Sequence, residues 1–321
     1  MKPSLLVSLI IVNFNGFEIT KNCLESIYSS KETSNPKPQA LNISFEITVV
    51  DNASTDGSVA RLKKAFLRKM NFQVIARKNN DFLAAAYNEG FNYSRGNIII
   101  FMNNDLIFTQ NWLEEIVNAL SQKKVGLVGA VILQTKEKDK IDNLGGCLNF
   151  LGYGKSILRG KRYQAGLKNK EPFYIPGMFL AIKRSLFIQA GKFDESYGAN
   201  YEDVDLAWRI RLLGYKAFVA KKAIIYHLGS WTVDKHLKKS SSSYLCRRNR
   251  LTTILKNDRI MHLFFVLPLY LFFQLIIFLK ELILNKDIRL ALTTPKAICY
   301  NFVNLKLILA KRRKAQGLRR S

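Results

Sequence analysis

The chain has 321 residues, 48% of them hydrophobic and 12% aromatic, which is enough to bury a sizeable core and excludes a disordered polymer; the length suits one large domain with an appendage, or two domains. The formal charge of +26 is concentrated late, since Thr232 to Ser321 holds 19 Lys/Arg against 4 Asp/Glu, a net of +15. A field of that sign attracts phosphate-bearing partners, whether nucleic acid, an anionic membrane surface or an acidic substrate, and four scattered cysteines without zinc or redox spacing fit a reducing compartment.

In chain order, Leu6–Val12 reads as the first buried strand. A single Lys and the apolar stretch from Leu5 resemble a short signal-peptide core, but Asn13 and Asn15 follow with no small-residue cleavage site, so the strand is preferred. Phe17–Ser29 is predicted as a helix and Ser30–Pro38, with its prolines and polar neighbours, as a surface loop. Strands are then expected at Phe45–Val50, Phe72–Ala76 and Ile98–Met102, alternating with helices at Ser58–Lys69, Leu83–Ser94 and Asn111–Gln122. Such alternation predicts βαβ units and a mostly parallel sheet in an α/β fold. From Gly145 to Pro176 the pattern loosens into Gly, Lys and aromatic residues, which suits a hairpin or a mobile loop. A strand at Met178–Ile182, a helix at Arg184–Ala190 and a second helix from Asp203 to Leu213 follow.

The carboxyl-terminal region differs in kind. Leu263–Leu279 is apolar apart from Pro268 and Gln274, at the lower edge of the about 20 residues a spanning helix needs, so spanning, re-entrant, interfacial and buried placements all stay open. Tyr300–Ala310 reads as an amphipathic segment with a polybasic end, Lys311-Arg312-Arg313-Lys314, suited to anionic headgroups. The chain therefore divides into a domain over 1–232 and a basic, apolar helical region over 233–321.

Several polar strings stand at expected strand ends, where open α/β sheets bind ligands. Asn13 and Asn15 follow the first strand, and Asp51 opens the string Asp51-Asn52-Ala53-Ser54-Thr55-Asp56-Gly57-Ser58, in which Asp56 or Ser58 suits a helix cap. Asn103-Asn104-Asp105 emerges from the fourth strand, where a lone carboxylate and two amides could hold a metal-bound diphosphate or merely form a turn. Tyr201-Glu202-Asp203-Val204-Asp205-Leu206 puts acids at a helix start, which the macrodipole alone would favour. His227 follows a strand expected at Ile224–Tyr226.

Together these strings resemble the family 2 glycosyltransferases of the GT-A fold, over about Leu5 to Trp231. Within it the chain looks most like the rhamnosyltransferases of cell-surface polysaccharide assembly. The resemblance implies that Asn13, Asn15 and Asp51 hold the nucleotide, that Asn80 and Asn104 face it, and that Asp105 is the metal ligand of an Asp-x-Asp motif whose first acid is replaced by Asn103. It implies that Asp203 is the general base, with Glu202 the alternative, and that His227 completes the shell of a divalent cation, Mn²⁺ or Mg²⁺. A glycine is usual where Phe82 stands, and Pro176-Gly177-Met178-Phe179 and the basic run Arg247-Arg248-Asn249-Arg250 also match family segments. Trp208 suits packing, and Arg209 either packing or a phosphate contact.

The expected activity is inverting transfer of a sugar from a UDP-, dTDP- or GDP-linked donor to a hydroxyl of a lipid-linked or polysaccharide acceptor. The tail places it at the cytoplasmic face of an anionic membrane, peripheral or anchored carboxyl-terminally, with no nucleic-acid partner. A sugar-nucleotide nucleotidyltransferase would carry a Gly-rich activating loop, which Asn13-Phe14-Asn15-Gly16 is not. A non-enzymatic basic protein binding membrane or nucleic acid would account for the charge but leave the ordered acids unexplained.

Overall fold

The computed structural model describes residues 5–32, 42–164, 166, 171–229 and 239–319. Three parallel strands, β1 (Leu5–Asn13), β2 (Ile43–Asp51) and β3 (Phe72–Ala76), alternate with helices α1 (Phe17–Glu32), α2 (Ser58–Ala65) and α3 (Phe82–Asn92), and β4 (Ile98–Asn103) joins on the other side of β1. Val7, Leu9, Ile11 and Ile10 are fully buried because helices cover both faces of this half, which is why these strands read as continuous apolar runs rather than alternating ones.

Beyond β4 lie β5 (Leu106–Phe108), α4 (Trp112–Ser121), β6 (Val125–Gln134), β7 (Ile141–Asn143), the hairpin β8 (Gly146–Leu148) and β9 (Gly154–Ser156), and β10 (Phe179–Lys183). Then come α5 (Arg184–Gln189), α6 (Glu202–Leu212) and β11 (Lys216–His227). The sheet runs β3-β2-β1-β4-β10-β6-β11-β5, with β7 paired to β6. The expected parallel sheet is thus parallel from β3 to β4 and mixed beyond, because β10 runs antiparallel to both β4 and β6, and β5 antiparallel to β11. Strand β6 escaped the sequence reading. Its glycines admit close packing, since a Cβ on Gly126 would lie 2.7 Å from Ile210 and one on Gly129 would lie 2.9 Å from Ile175.

The carboxyl-terminal helices are α7 (Lys239–Asn257), α8 (Ile260–Leu279, continued by a π-turn to Leu284), α9 (Ile288–Ala291), α10 (Thr293–Val303) and α11 (Leu305–Gln316). The division expected at 232/233, Trp231 and much of the Ser30–Pro38 loop lie outside the described residues. Helix α7 packs against α6 through buried polar contacts: Lys256 pairs with Asp205 at 2.9 Å and Asp194 at 2.8 Å, and Asn257 donates to Asp205 at 2.8 Å. The amphipathic segment expected at Tyr300–Ala310 is instead two helices meeting at Asn304. Its polybasic end turns partly inward, with Lys311 on Asp194 at 2.6 Å and Arg312 donating to the Leu255 carbonyl at 2.8 Å.

Candidate active site

In-register pairing of β1 with β2 sets Asn13 beside Asp51, and the Asn13 amide donates to Asp51 Oδ2 at 2.7 Å and to Ser54 Oγ at 3.2 Å. Asn13 Oδ1 accepts from Thr20 at 2.7 Å and from Asn104 at 3.3 Å, while Asn104 also donates to Thr20 at 2.8 Å. Asn13 is 0% and Asn104 6% exposed, and these bonds fix the ends of β1, β2 and β4 relative to one another. Asn15, at a φ of 48°, is partly exposed and staples the first loop to the second, its Oδ1 accepting from the Thr55 N–H at 2.8 Å. Asn80 is exposed, and its Oδ1 accepts from Asn52 at 2.7 Å and from the Phe82 N–H at 3.2 Å. The φ of 65° at Phe82 explains why a glycine is usual there, since glycine enters the left-handed region without strain.

A separate chain of hydrogen bonds runs from the end of β4 to the start of α6. Tyr87, fully buried on α3, donates within reach of Asn103 Oδ1 at 3.3 Å and the Gly177 carbonyl at 3.0 Å, and the Gly177 N–H donates to Asp203 Oδ2 at 2.9 Å. Burial, and then the carboxylates of Glu202, Asp105 and Asp203, hold the Tyr87 hydroxyl well above its usual pKa. One phenol therefore senses acids contributed by the end of β4 and the start of α6.

Asp105 and His227 meet because β5 and β11 pair antiparallel, which brings His227 Nε2 to 3.2 Å from Asp105 Oδ2. On its other face His227 Nδ1 lies 2.7 Å from Asp142 Oδ2, and Asp142 in turn pairs with Arg159 at 3.2 Å. Burial disfavours the imidazolium, but the hydrogen bonds to Asp105 and Asp142 outweigh it and lift the His227 pKa to about 9. Asp142 escaped the sequence reading; it carries no local motif and stands 85 residues from the histidine it orients. Asp105 Oδ1 is buried and finds no hydrogen-bond partner among the described residues, the mark of an oxygen placed for a ligand outside the chain. No group of three or more His, Cys, Asp or Glu is arrayed for a metal among the described residues, so a cation here would take Asp105 and His227 from the protein and its remaining donors from phosphate and water.

Glu202 and Asp203 open α6 after a turn with Asn200 and Tyr201 at φ of 67° and 70°. Burial first, and the neighbouring Asp203 charge second, push Glu202 up to about 8, and its Oε2 is buried without a partner among the described residues. Burial also raises Asp203, but the Gly177 and Val204 N–H groups, at 2.9 and 2.7 Å, favour its charged form and it is partly open to the cleft. The proton of the pair therefore rests on Glu202 and the negative charge on Asp203. The third acid, Asp205, is fully buried and belongs to the scaffold, with Arg209, Lys256 and Asn257 around it.

Helix α7 holds the turn in place. The Asn249 amide donates to the carbonyls of Tyr197, Ala199 and Asn200 at 2.9, 2.8 and 2.7 Å, and Arg248 donates to Tyr197 and Ser196. Arg247 pairs with Glu281 at 2.5 Å, and Arg250 lies 3.6 Å from the centre of the Tyr153 ring, so this basic run holds α7, α8 and the hairpin to the acid-bearing loop. Trp208 packs edge-on against Phe173, and Arg209 is consumed by Asp205 and the Ala190 and Lys192 carbonyls, so both serve packing.

A parallel half-sheet ending in Asp51 and Asp105, joined to a mixed half that supplies a histidine and an acid pair, defines the GT-A class of α/β folds. A sequence model described as "Glycosyl transferase family 2" matches residues 8–188, and the chain belongs to that family. It is 32% identical over 123 residues to the glycosyltransferase AglE of Haloferax volcanii, a stretch covering 38% of each chain. The chain spans 25–38% of the length of the first curated relatives it matches. Among solved structures it resembles GalNAc-T7 with UDP, GalNAc and Mn²⁺ at a TM-score of 0.61 and 17% identity, over 78% of this chain and 48% of that one. It also resembles the mannosyltransferase PcManGT of Pyrobaculum calidifontis with GDP-Man and Mn²⁺ at a TM-score of 0.54 and 15% identity, over 97% of this chain and 83% of that one. At those identities the likeness is one of fold.

Proposed function

We propose that the protein transfers a sugar from a nucleotide-diphosphate donor to the hydroxyl of a lipid-linked or polysaccharide acceptor, with inversion at the anomeric carbon. The observation that carries this is that Asp203, at the start of α6, is joined through Gly177 and Tyr87 to Asn103 at the end of β4, two residues before Asp105, whose buried Oδ1 has no partner among the described residues. Asp51 and Asn15 lie on the loops that receive the nucleoside, and Asn80 borders them. Asp203 takes the acceptor proton as the hydroxyl oxygen attacks the anomeric carbon, and the bond from that carbon to the diphosphate oxygen breaks. Glu202, protonated near neutral pH, keeps a second negative charge away from the base. Asp105 Oδ1 and His227 would hold a divalent cation, Mn²⁺ or Mg²⁺, which supplies charge to offset that of the departing diphosphate. Asp142 keeps His227 oriented toward Asp105.

Helix α8 and its π-turn form a stretch, Ile260–Leu284, long and apolar enough to cross a membrane. Leu263, Val266, Tyr270 and Gln274 form a single stripe packed against the protein, while Phe264, Phe265 and Phe272 are 69, 71 and 57% exposed on other faces. A helix with one face already committed to its own domain suits a position in the plane of the interface. Basic residues of the tail favour the anionic cytoplasmic face. The test is donor turnover on a panel led by dTDP-rhamnose, UDP-glucose and GDP-mannose, with Mn²⁺, Mg²⁺ or EDTA, for the native protein, Asp105→Ala and Asp203→Ala. Cation-dependent turnover lost in both variants is expected; turnover that survives in both would overturn the assignment.

A further inference from the structure

We propose that the cavity between the β8–β9 hairpin and α8 is the groove for the hydrocarbon chain of a phosphate-bearing lipid acceptor, whose head it leads toward Asp203. This rests on the glycosyltransferase reading above and adds to it a site for the acceptor's tail. The cavity measures about 610 Å³, within the usual size of small-molecule sites, and is walled by Leu148, Leu151, Tyr153 and Phe273, with Cys147 and Lys155 at its edge.

Three observations select a hydrocarbon over a glycan or peptide. First, the polar groups on its wall are largely occupied: Asn149 Oδ1 accepts from the Leu151 and Tyr153 N–H groups at 3.0 and 2.9 Å, and the Cys147 thiol donates to the Lys155 carbonyl at 3.6 Å. Tyr153 Oη accepts from Gln274 at 2.9 Å, a bond that holds the hairpin to the helix. Second, Phe273 belongs to the helix whose neighbouring Phe272, Leu275 and Ile276 are exposed, and an exposed apolar surface of this extent marks a membrane or partner contact. A chain leaving a bilayer would thus reach the cavity without crossing water. Third, the inner wall is joined to the site: Tyr201, directly before Glu202, donates to the Gly152 carbonyl at 2.9 Å and accepts from the Gly154 N–H at 3.4 Å. Lys155 is the charged side chain of the lining and is exposed, which suits the phosphate of the carrier. A bulk phospholipid would share the tail chemistry, but nothing about a diacyl headgroup calls for access to the acid pair.

Exposed Cys147 is a built-in reporter, since a chain in the groove would shield it. The full-length protein, with detergent removed, is alkylated with a maleimide, and Cys147 labelling is followed by peptide mass spectrometry. Farnesyl phosphate is expected to slow labelling at least 5-fold, while inorganic phosphate and phosphatidylglycerol vesicles change it less than 2-fold. Phe273→Ala is expected to cut the protection by farnesyl phosphate at least 3-fold while donor hydrolysis stays within 2-fold of the native protein. No protection by farnesyl phosphate in a protein that still hydrolyses donor overturns the groove, and equal shielding by the vesicles reassigns it to bulk lipid. Protection without any cation-dependent donor hydrolysis keeps the groove and overturns the transferase reading.

Discussion

The two ends of the cleft differ in how their polar groups are satisfied. At the amino-terminal end Asn13, Thr20, Ser54 and Asn104 saturate one another around Asp51, so that end is rigid before any ligand arrives. At the other end Asp105 Oδ1 and Glu202 Oε2 are buried without partners among the described residues, and the acid pair stands above its ordinary pKa. Buried polar atoms left unpaired cost about 1–3 kcal/mol each, so their persistence marks a place built for something other than stability. One end is preorganised by its own hydrogen bonds, and the other keeps buried carboxylate oxygens unpaired among the described residues.

The sharpest way to break this contrast is at the reactive end. Asp203→Asn keeps the size of the side chain but removes the base, and transfer should fall by about 10²–10⁴-fold with donor KM changed less than about 3-fold. Steady-state kinetics decide it, and a variant whose KM alone rises would make Asp203 a donor contact. In the native enzyme the rate should climb with pH through a limb set above the ordinary Asp range, because the base must lose its proton.

At the rigid end Asn13→Ala should act on folding rather than chemistry. It removes the side-chain bonds to Asp51, Ser54, Thr20 and Asn104 at once and leaves Asp51 Oδ2 without its amide donor, so unfolding free energy is expected to drop by about 2–4 kcal/mol in denaturant titrations. A loss under about 0.5 kcal/mol would show that the network is dispensable.

Glu202→Gln tests the stored proton. With a folded pKa near 8 and an unfolded one near 4.3, the unfolded chain gives up this proton first as pH rises, so the residue's contribution falls across that window and is fully lost above pH 8. The variant should flatten the decline and gain about 4 kcal/mol relative to the native protein between pH 5 and 8.5. The depressed acids Asp142, Asp194 and Asp205 titrate below this window, while the raised Asp203 and His227 act within it in both proteins, so the difference between the two curves reports Glu202. Parallel stability curves for the two proteins would contradict the raised pKa.

Asn249→Ala frees three carbonyls of the turn before Glu202, and kcat is expected to fall about 10-fold with donor KM unchanged, partly restored in Asn249→Gln. Unaltered kcat would make the contact purely structural. The smallest effect belongs to Phe82→Gly, in which relief of a left-handed conformation offsets lost packing against Gly198 and added chain entropy, leaving stability within about 1 kcal/mol of native in thermal melts.

Legibility in the sequence follows the same divide. Strands β1 and β4 and the polar residues at their ends are readable because burial on both faces produces nearly uninterrupted apolar runs, and a ligand site at strand ends follows from that topology. Strand β6 is not legible in the sequence because Gly126 and Gly129 break its β character, although they are what lets α6 and Ile175 pack closely. The polybasic end read as a lipid-facing tail is partly spent on Asp194 and Leu255.

What the amino-acid order determined by itself was local: the βαβ half, the acids at strand and helix ends, and the apolar, cationic tail. Tertiary structure alone decided that Asn13 and Asn104 brace the site, that Asp142 orients His227, and that Asn249 clamps the turn bearing Glu202 and Asp203. The reason is physical. Periodicity and capping act over a few residues and leave a pattern in the chain, whereas a hydrogen bond between side chains 85 residues apart leaves none until the sheet has closed.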